Sequence, residues 1–127
     1  MTYQFSKHYT RDEARALLPQ IRIWLGHLNR AHKRVKQSEQ QIGQIIAGAS
    51  DAGGGLVNGL IKDLCEMKRI LSQFHRREIQ IKDLQRGLID FPAILGGKEV
   101  FLCWEQDEED IEYWHDLNTG YAGREKL

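Results

Sequence analysis

Five residues in the last third of the chain carry most of its chemistry: Asp90, Cys103, Glu108, His115 and Arg124. A carboxylate, a thiol and an imidazole on neighbouring strands could hold zinc or a similar divalent ion, with Asp90, Cys103 and His115 as donors. The same groups could instead form an acid/base pair, with Arg124 holding an anionic substrate. Trp104 and Trp114 could wall such a pocket. Structural roles account for these residues too: Cys103 in a core, Asp90 capping a turn at Phe91-Pro92, Arg124 bridging to the acidic run Glu105–Asp110. No metal-ligand spacing of a known type occurs, because Cys65 and Cys103 lie far apart and form no paired motif. Gly53-Gly54-Gly55 lacks the lysine of a phosphate-cradling loop, and no standard nucleophile–base spacing is present. The pattern establishes no cofactor; zinc is the ion the donors would suit.

Two further groups fall in helical stretches. His32 and Glu39 are seven residues apart, so they share a helix face about 10 Å apart along the axis. Paired hairpins could join such groups as in di-metal bundles, but the Glu-x-x-His arrangement of those bundles is absent. The simpler expectation is that they fix register or lie near a dimer edge. Arg30, Lys33 and Arg34 share a face and, with Arg69, Arg76 and Arg77, could track phosphates. Against nucleic acid stand a formal net charge of zero and the absence of a recognisable nucleic-acid module. A solvated face meeting the acidic Glu105–Asp110 loop is the plainer reading. Residues 1–50 hold eight Lys/Arg against three Asp/Glu, and residues 87–127 hold three against ten, so the halves suit each other within one molecule or across a dimer.

The elements that must position these residues follow from periodicity. From Ala14, strides of four and three meet Leu18, Ile21, Leu25, Leu28, His32, Val35, Glu39, Ile42, Ile46 and Ala49. From Val57 they meet Leu60, Leu64, Met67, Leu71 and Phe74. This is the spacing of a coiled-coil seam. The glycines at 53–55 reverse the chain, which predicts an antiparallel helical hairpin over about 10–77, with His32 near Phe74 and Glu39 near Met67. Thr10-Arg11-Asp12-Glu13 reads as a capping box, so helix one starts at about Arg11 and, if it reaches Ala47, spans about 55 Å. Pro19 is expected to kink that helix rather than end it. Cys65 falls beside a seam position and reads as a buried small hydrophobe.

After Arg76 or Arg77 the period changes to alternation, and strands are predicted at 79–82, at Leu88–Phe91 ending before Pro92, at Glu99–Trp104 and at Ile111–His115. The run of apolar residues in the third places it centrally. An alternative extends helix two to Arg86 with Gly87 as its cap. The expected fold is α+β: a single domain over 1–127, with the hairpin packed at its base on an antiparallel β-meander of three to four strands (about 78–116) and a C-terminal turn and tail over 117–127. Ile45, Ile61 and Ile70 are more apolar surface than two helices can cover, which predicts a homodimer through the helices. No apolar run is long enough to span a bilayer, and the cysteine usage suits a reduced, cytoplasmic setting. Any small-molecule ligand is left open.

Beyond these patterns, Gly87-Leu88-Ile89-Asp90-Phe91-Pro92-Ala93, Val100-Phe101-Leu102-Cys103-Trp104, Tyr113-Trp114-His115 and Gly120-Tyr121-Ala122-Gly123-Arg124 resemble a prokaryotic family catalogued as domain of unknown function 2203. Phe5, Thr10-Arg11-Asp12-Glu13-Ala14 and Leu17-Leu18-Pro19 resemble its beginning, so the resemblance covers nearly the whole chain. It implies no activity, and marks Asp90, Cys103, Trp104, His115 and Arg124 as motif positions. Asp107 departs from the glycine the family pattern favours before Glu108, which argues against close backbone approach at that loop.

Overall fold

The computed structural model describes residues 2–48 and 54–127. Helix α1 (Arg11–Ala47) begins at the expected capping box. Thr10 Oγ1 accepts from the Glu13 amide at 3.1 Å, and the Glu13 carboxylate accepts from the Thr10 amide at 3.0 Å. The helix runs through Pro19 without interruption. Helix α2 (Gly54–Arg76) folds back along it. The reversal predicted around the glycines falls mostly on residues 49–53, outside the described residues, but the packing of the two helices establishes the hairpin. Trp24 meets Phe74 edge to face at 5.3 Å, and Arg34 bonds Asp63 at 2.9 Å, so partners advance along one helix as they recede along the other.

The packed faces differ from the predicted seams. On α1 the buried positions are Ala14, Leu18, Ile21, Leu25, Leu28, Ala31, Val35 and Ser38. Neither His32, half-buried, nor Glu39, exposed, belongs to this stripe. The stripe winds around α1 because the sheet covers its first half, whereas only α2 lies against the second. Phe74 accordingly faces Trp24, eight residues before His32. On α2 the inward residues are Ile70 and Phe74, with Met67 partly buried against them. Val57, Leu64 and Leu71, placed in the seam by heptad counting, are exposed, as are Ile61 and Cys65. Met67 and Phe74 keep their predicted inward direction while Ile70 takes the place of Leu71, so the contact face of α2 is rotated by about half a residue, roughly 50° on an α-helix.

Helix α2 ends in a Schellman motif. Glu78 takes the left-handed conformation (φ 57°), its amide donates to the His75 carbonyl, and the Ile79 amide donates to the Phe74 carbonyl, each at 3.0 Å. Phe74 and Ile79 are both in the core, giving the apolar contact that accompanies this cap. The alternative in which α2 continues to Arg86 is therefore excluded. The Glu78 side chain accepts from the Ser6 hydroxyl and amide, tying the N-terminal lead-in to the cap.

The remaining chain forms a five-stranded antiparallel meander in sequential order: β1 (Gln80–Asp83), β2 (Leu88–Leu95), β3 (Lys98–Glu105), β4 (Tyr113–Asp116) and β5 (Glu125–Lys126). β3 lies at its centre, as its apolar run suggested. β5 was expected to be a polar tail; a two-residue strand offers no periodicity to read. β2 passes through Pro92 instead of stopping there. The Pro92 carbonyl accepts from the Tyr9 amide at 2.7 Å, on the side away from β3 and beyond the end of β1, so the missing proline N–H costs the sheet nothing. Gly96 and Gly97, both at positive φ, close the two-residue hairpin between Leu95 and Lys98.

Strand alternation gives the sheet two faces. Ile89, Phe91 and Ala93 on β2, paired with Trp104, Leu102 and Val100 on β3, look toward the helices and join Leu18, Ile21, Leu25, Leu28, Ile70 and Phe74 in one core. The other face carries Leu88, Asp90 and Pro92, Phe101, Cys103 and Glu105, and Tyr113 and His115. Among the described residues, no helix is long and apolar enough to cross a membrane.

Candidate functional site on the outer face of the sheet

The register of three strands builds the site. Asp90 on β2 stands directly opposite Cys103 on β3, and His115 on β4 pairs with Phe101, one side-chain repeat along β3 from Cys103. All three project from the face turned away from the helices. Their potential donor atoms lie within 4.8 Å of one another, and all three side chains are buried. Of the predicted candidates, these three are brought together.

The two ring nitrogens of His115 have different partners. Nδ1 lies 2.7 Å from the Asp116 carbonyl, which can only accept, so this nitrogen carries hydrogen. Nε2 lies 3.0 Å from Asp90 Oδ2 in a pair only 2% exposed on each side. A neutral ring protonated at Nδ1 can only accept at Nε2, so a second proton must bridge the pair, carried by Asp90 or shared onto an imidazolium. Burial, the largest influence, raises the Asp90 pKa above its ordinary value against the opposing pull of His115. Asp90 Oδ1 is buried without a hydrogen-bond partner. Burial also pushes the Cys103 thiol up to about 12, with the Asp90 charge adding to the shift and Arg124 opposing it.

Arg124 and Glu108 form the adjoining layer. The Glu108 carboxylate accepts from Arg124 Nη1 at 3.0 and 3.2 Å and from the Glu105 amide at 2.8 Å. The guanidinium lies between the Tyr113 and Tyr121 rings, 4.0 and 4.3 Å from their centroids. Burial works against the Arg124 charge, but Glu108 outweighs it and raises the guanidinium pKa further. Arg124 thus bridges to the acidic loop and also stands beside Cys103, joining two of the roles read from the sequence.

Trp104 and Trp114 do not wall this site. Trp104 is fully buried on the helix side, its Nε1 donating to the Glu108 carbonyl at 2.9 Å with the Arg22 guanidinium 4.8 Å above its ring. Trp114, opposite Leu102, packs against the same core. The residues that do line the adjoining cleft, of about 330 Å³, include Asp90, His115, Lys82, Phe101, Asn118 and Tyr121. Tyr113 was legible, two residues before His115 and so on the same face. Lys82 follows from alternation as well, since its neighbour Ile81 pairs with Ile89 on the core face.

The helical candidates are dispersed. Arg34 is paired with Asp63, Arg69 with Glu66, and Arg77 lies over Trp24. The acidic loop does meet α1, but through Arg11, Arg15 and Arg22: Arg15 bonds Asp110 at 2.8 Å and Arg22 bonds the Gln106 and Glu108 carbonyls. His32 and Glu39 lie apart from the sheet cluster, with no direct hydrogen bond between them.

No curated protein and no solved structure matches the chain. The profile of a family described as Uncharacterized conserved protein (DUF2203) matches residues 7–127, which include both helices, the sheet and every residue of the cluster. The chain therefore belongs to the DUF2203 family.

Proposed function

We propose that this protein is a small self-associating binding module: its helical hairpin pairs with a second copy, and its sheet presents a ligand site on the outer face. One observation carries the first half. Val57, Ile61, Leu64 and Leu71 form a single stripe along α2, and they are 40%, 52%, 46% and 43% exposed. Scattered apolar residues on a surface are ordinary, but four large ones at helical spacing beside an already packed seam support reading this face as an interface. A two-fold axis near Leu64 would set Val57 of one copy against Leu71 of the other, the self-complementarity that an isologous interface requires. Lys68 lies within the stripe and can lay its methylene stem along it while its ammonium stays in water.

Light scattering over a concentration series tests this. Twice the chain mass is expected, falling to one chain mass on Leu64→Glu with helicity retained; a wild-type mass of one chain at about 100 μM removes the proposal.

A second reading, a small metal-dependent or acid/base enzyme working at the sheet, is favoured by the proton shared between Asp90 and His115 at the cleft. Nucleic-acid binding draws less support, because Arg34 and Arg69 are engaged by carboxylates of the chain itself.

A further inference from the structure

We propose that Asp90, Cys103 and His115 form a three-donor site for a divalent transition-metal ion of zinc type, with its remaining coordination position open to the cleft. The donors come from three adjacent strands, so the backbone holds them in place. Asp90 Oδ2 and His115 Nε2 are 3.0 Å apart, and no pair of donor atoms in the cluster is more than 4.8 Å apart. Tetrahedral zinc with sulfur, nitrogen and oxygen ligands needs donors roughly 3.3–3.6 Å apart, so the remaining adjustment is about an ångström of side-chain motion.

Three further observations point to a ligand. Asp90 Oδ1 is a carboxylate oxygen with no partner in a residue that is 1% exposed, which a purely structural core would not leave so. The His115 Nδ1–H is fixed on the Asp116 carbonyl, so once the bridging proton leaves, the Nε2 lone pair is directed at the cluster; an outer partner of this kind is what metal-bound histidines use. Both Asp90 and His115 line the cleft, which gives an ion a path and leaves room for water or an exogenous donor beside Lys82 and Tyr121.

The donor set combines one soft thiolate with one nitrogen and one oxygen, which suits zinc or cobalt better than magnesium or calcium. Binding releases two protons to solvent: the Cys103 thiol proton and the one bridging Asp90 and His115. Thiolate and carboxylate then balance the charge of the ion, while the imidazole stays neutral and keeps its Nδ1 hydrogen. The site faces away from α2, so its occupancy is independent of whether the chain self-associates.

The test is cobalt titration of the metal-free chain in a Cys65→Ser background, which removes the exposed thiol. One equivalent is expected to develop a thiolate-to-cobalt charge-transfer band with tetrahedral d–d absorption, and zinc should displace it. Cys103→Ser should lose the charge-transfer band, and His115→Gln should bind more than about 100-fold more weakly, beyond the cost of losing an outer partner. Should either variant fail to fold, zinc added to the otherwise unaltered chain must still shift the His115 ring resonances at one equivalent. Absence of the band, its persistence in a folded Cys103→Ser, or unmoved His115 resonances would each overturn the proposal.

Discussion

Ile70→Ala and Leu71→Ala, neighbours in sequence, should differ sharply in cost, because the contact face of α2 separates them. Ile70 is fully buried between α1 and the sheet-side core, whereas Leu71 is 43% exposed. Truncating a buried isoleucine removes its transfer free energy and leaves a cavity, a loss of about 2–5 kcal/mol. A fully buried leucine gains about 1.5–3 kcal/mol from burial, so one little more than half covered should lose under about 1.5 kcal/mol. With a urea dependence of about 1–3 kcal/mol per molar, Ile70→Ala should lower the midpoint by about 0.7 M or more, a larger shift than that of Leu71→Ala. Tryptophan fluorescence is a suitable probe, since Trp24 packs against Phe74 and Trp104 is fully buried. Protein concentration separates folding from association: the Leu71→Ala cost should grow with concentration if the α2 stripe pairs copies, while the Ile70→Ala cost should not. Equal costs at the lowest concentration, or a larger one for Leu71→Ala, would refute the packing described for α2.

Three other outcomes follow from local geometry. A thiol reagent at about pH 8 should label one equivalent in the native chain, at exposed Cys65, and a second only after denaturation, because Cys103 is buried and its thiol is pushed up to about 12. Gly87→Ala should lose about 1–3 kcal/mol in thermal or urea unfolding, since its φ of 66° is left-handed and an added Cβ would meet the Gln106 side chain at 2.6–2.8 Å. The N-terminal lead-in should detach on acidification. The Ser6 hydrogen bonds hold the Glu78 pKa below 4.5, and Glu99 is held low too, burial opposing but the His8 ring and the Gln4 and Phe5 amides prevailing. Depressed carboxylate pKa values give stability that is present above the ordinary value and lost as pH falls through the folded one. Amides of residues 4–6 should therefore lose exchange protection as pH falls below the ordinary glutamate value of about 4.3, corrected for intrinsic rates, with α1 retained; unchanged protection in strong acid would contradict the tether.

Local rules made much of this molecule legible in its sequence. Thr10 and Glu13 can satisfy each other's orphan donors without help from the rest of the chain, so the start of α1 needed no tertiary information. The same holds for the hairpin at Gly96-Gly97, whose turn demands two positive φ values, and for the central place of β3, apolar on both sides. What the tertiary structure decided was direction. A heptad count cannot say where a helix leaves the sheet and its buried stripe begins to wind, so His32, Glu39, Leu64 and Leu71 were assigned to a seam that Ala31, Ser38 and Ile70 occupy. The end of α2 turned on Glu78 adopting a conformation that glycine usually supplies, closed by the Glu78 and Ile79 amide bonds to His75 and Phe74, with the Glu78 side chain tied to Ser6 from the far end of the chain. Residue types suggested Asp90, Cys103 and His115, but only the pairing of β2 with β3 and of β3 with β4 put the three on one face and sent Trp104 and Trp114 to the other. In a sheet, one residue of register inverts every side chain, and register is a property of strands meeting rather than of any strand alone.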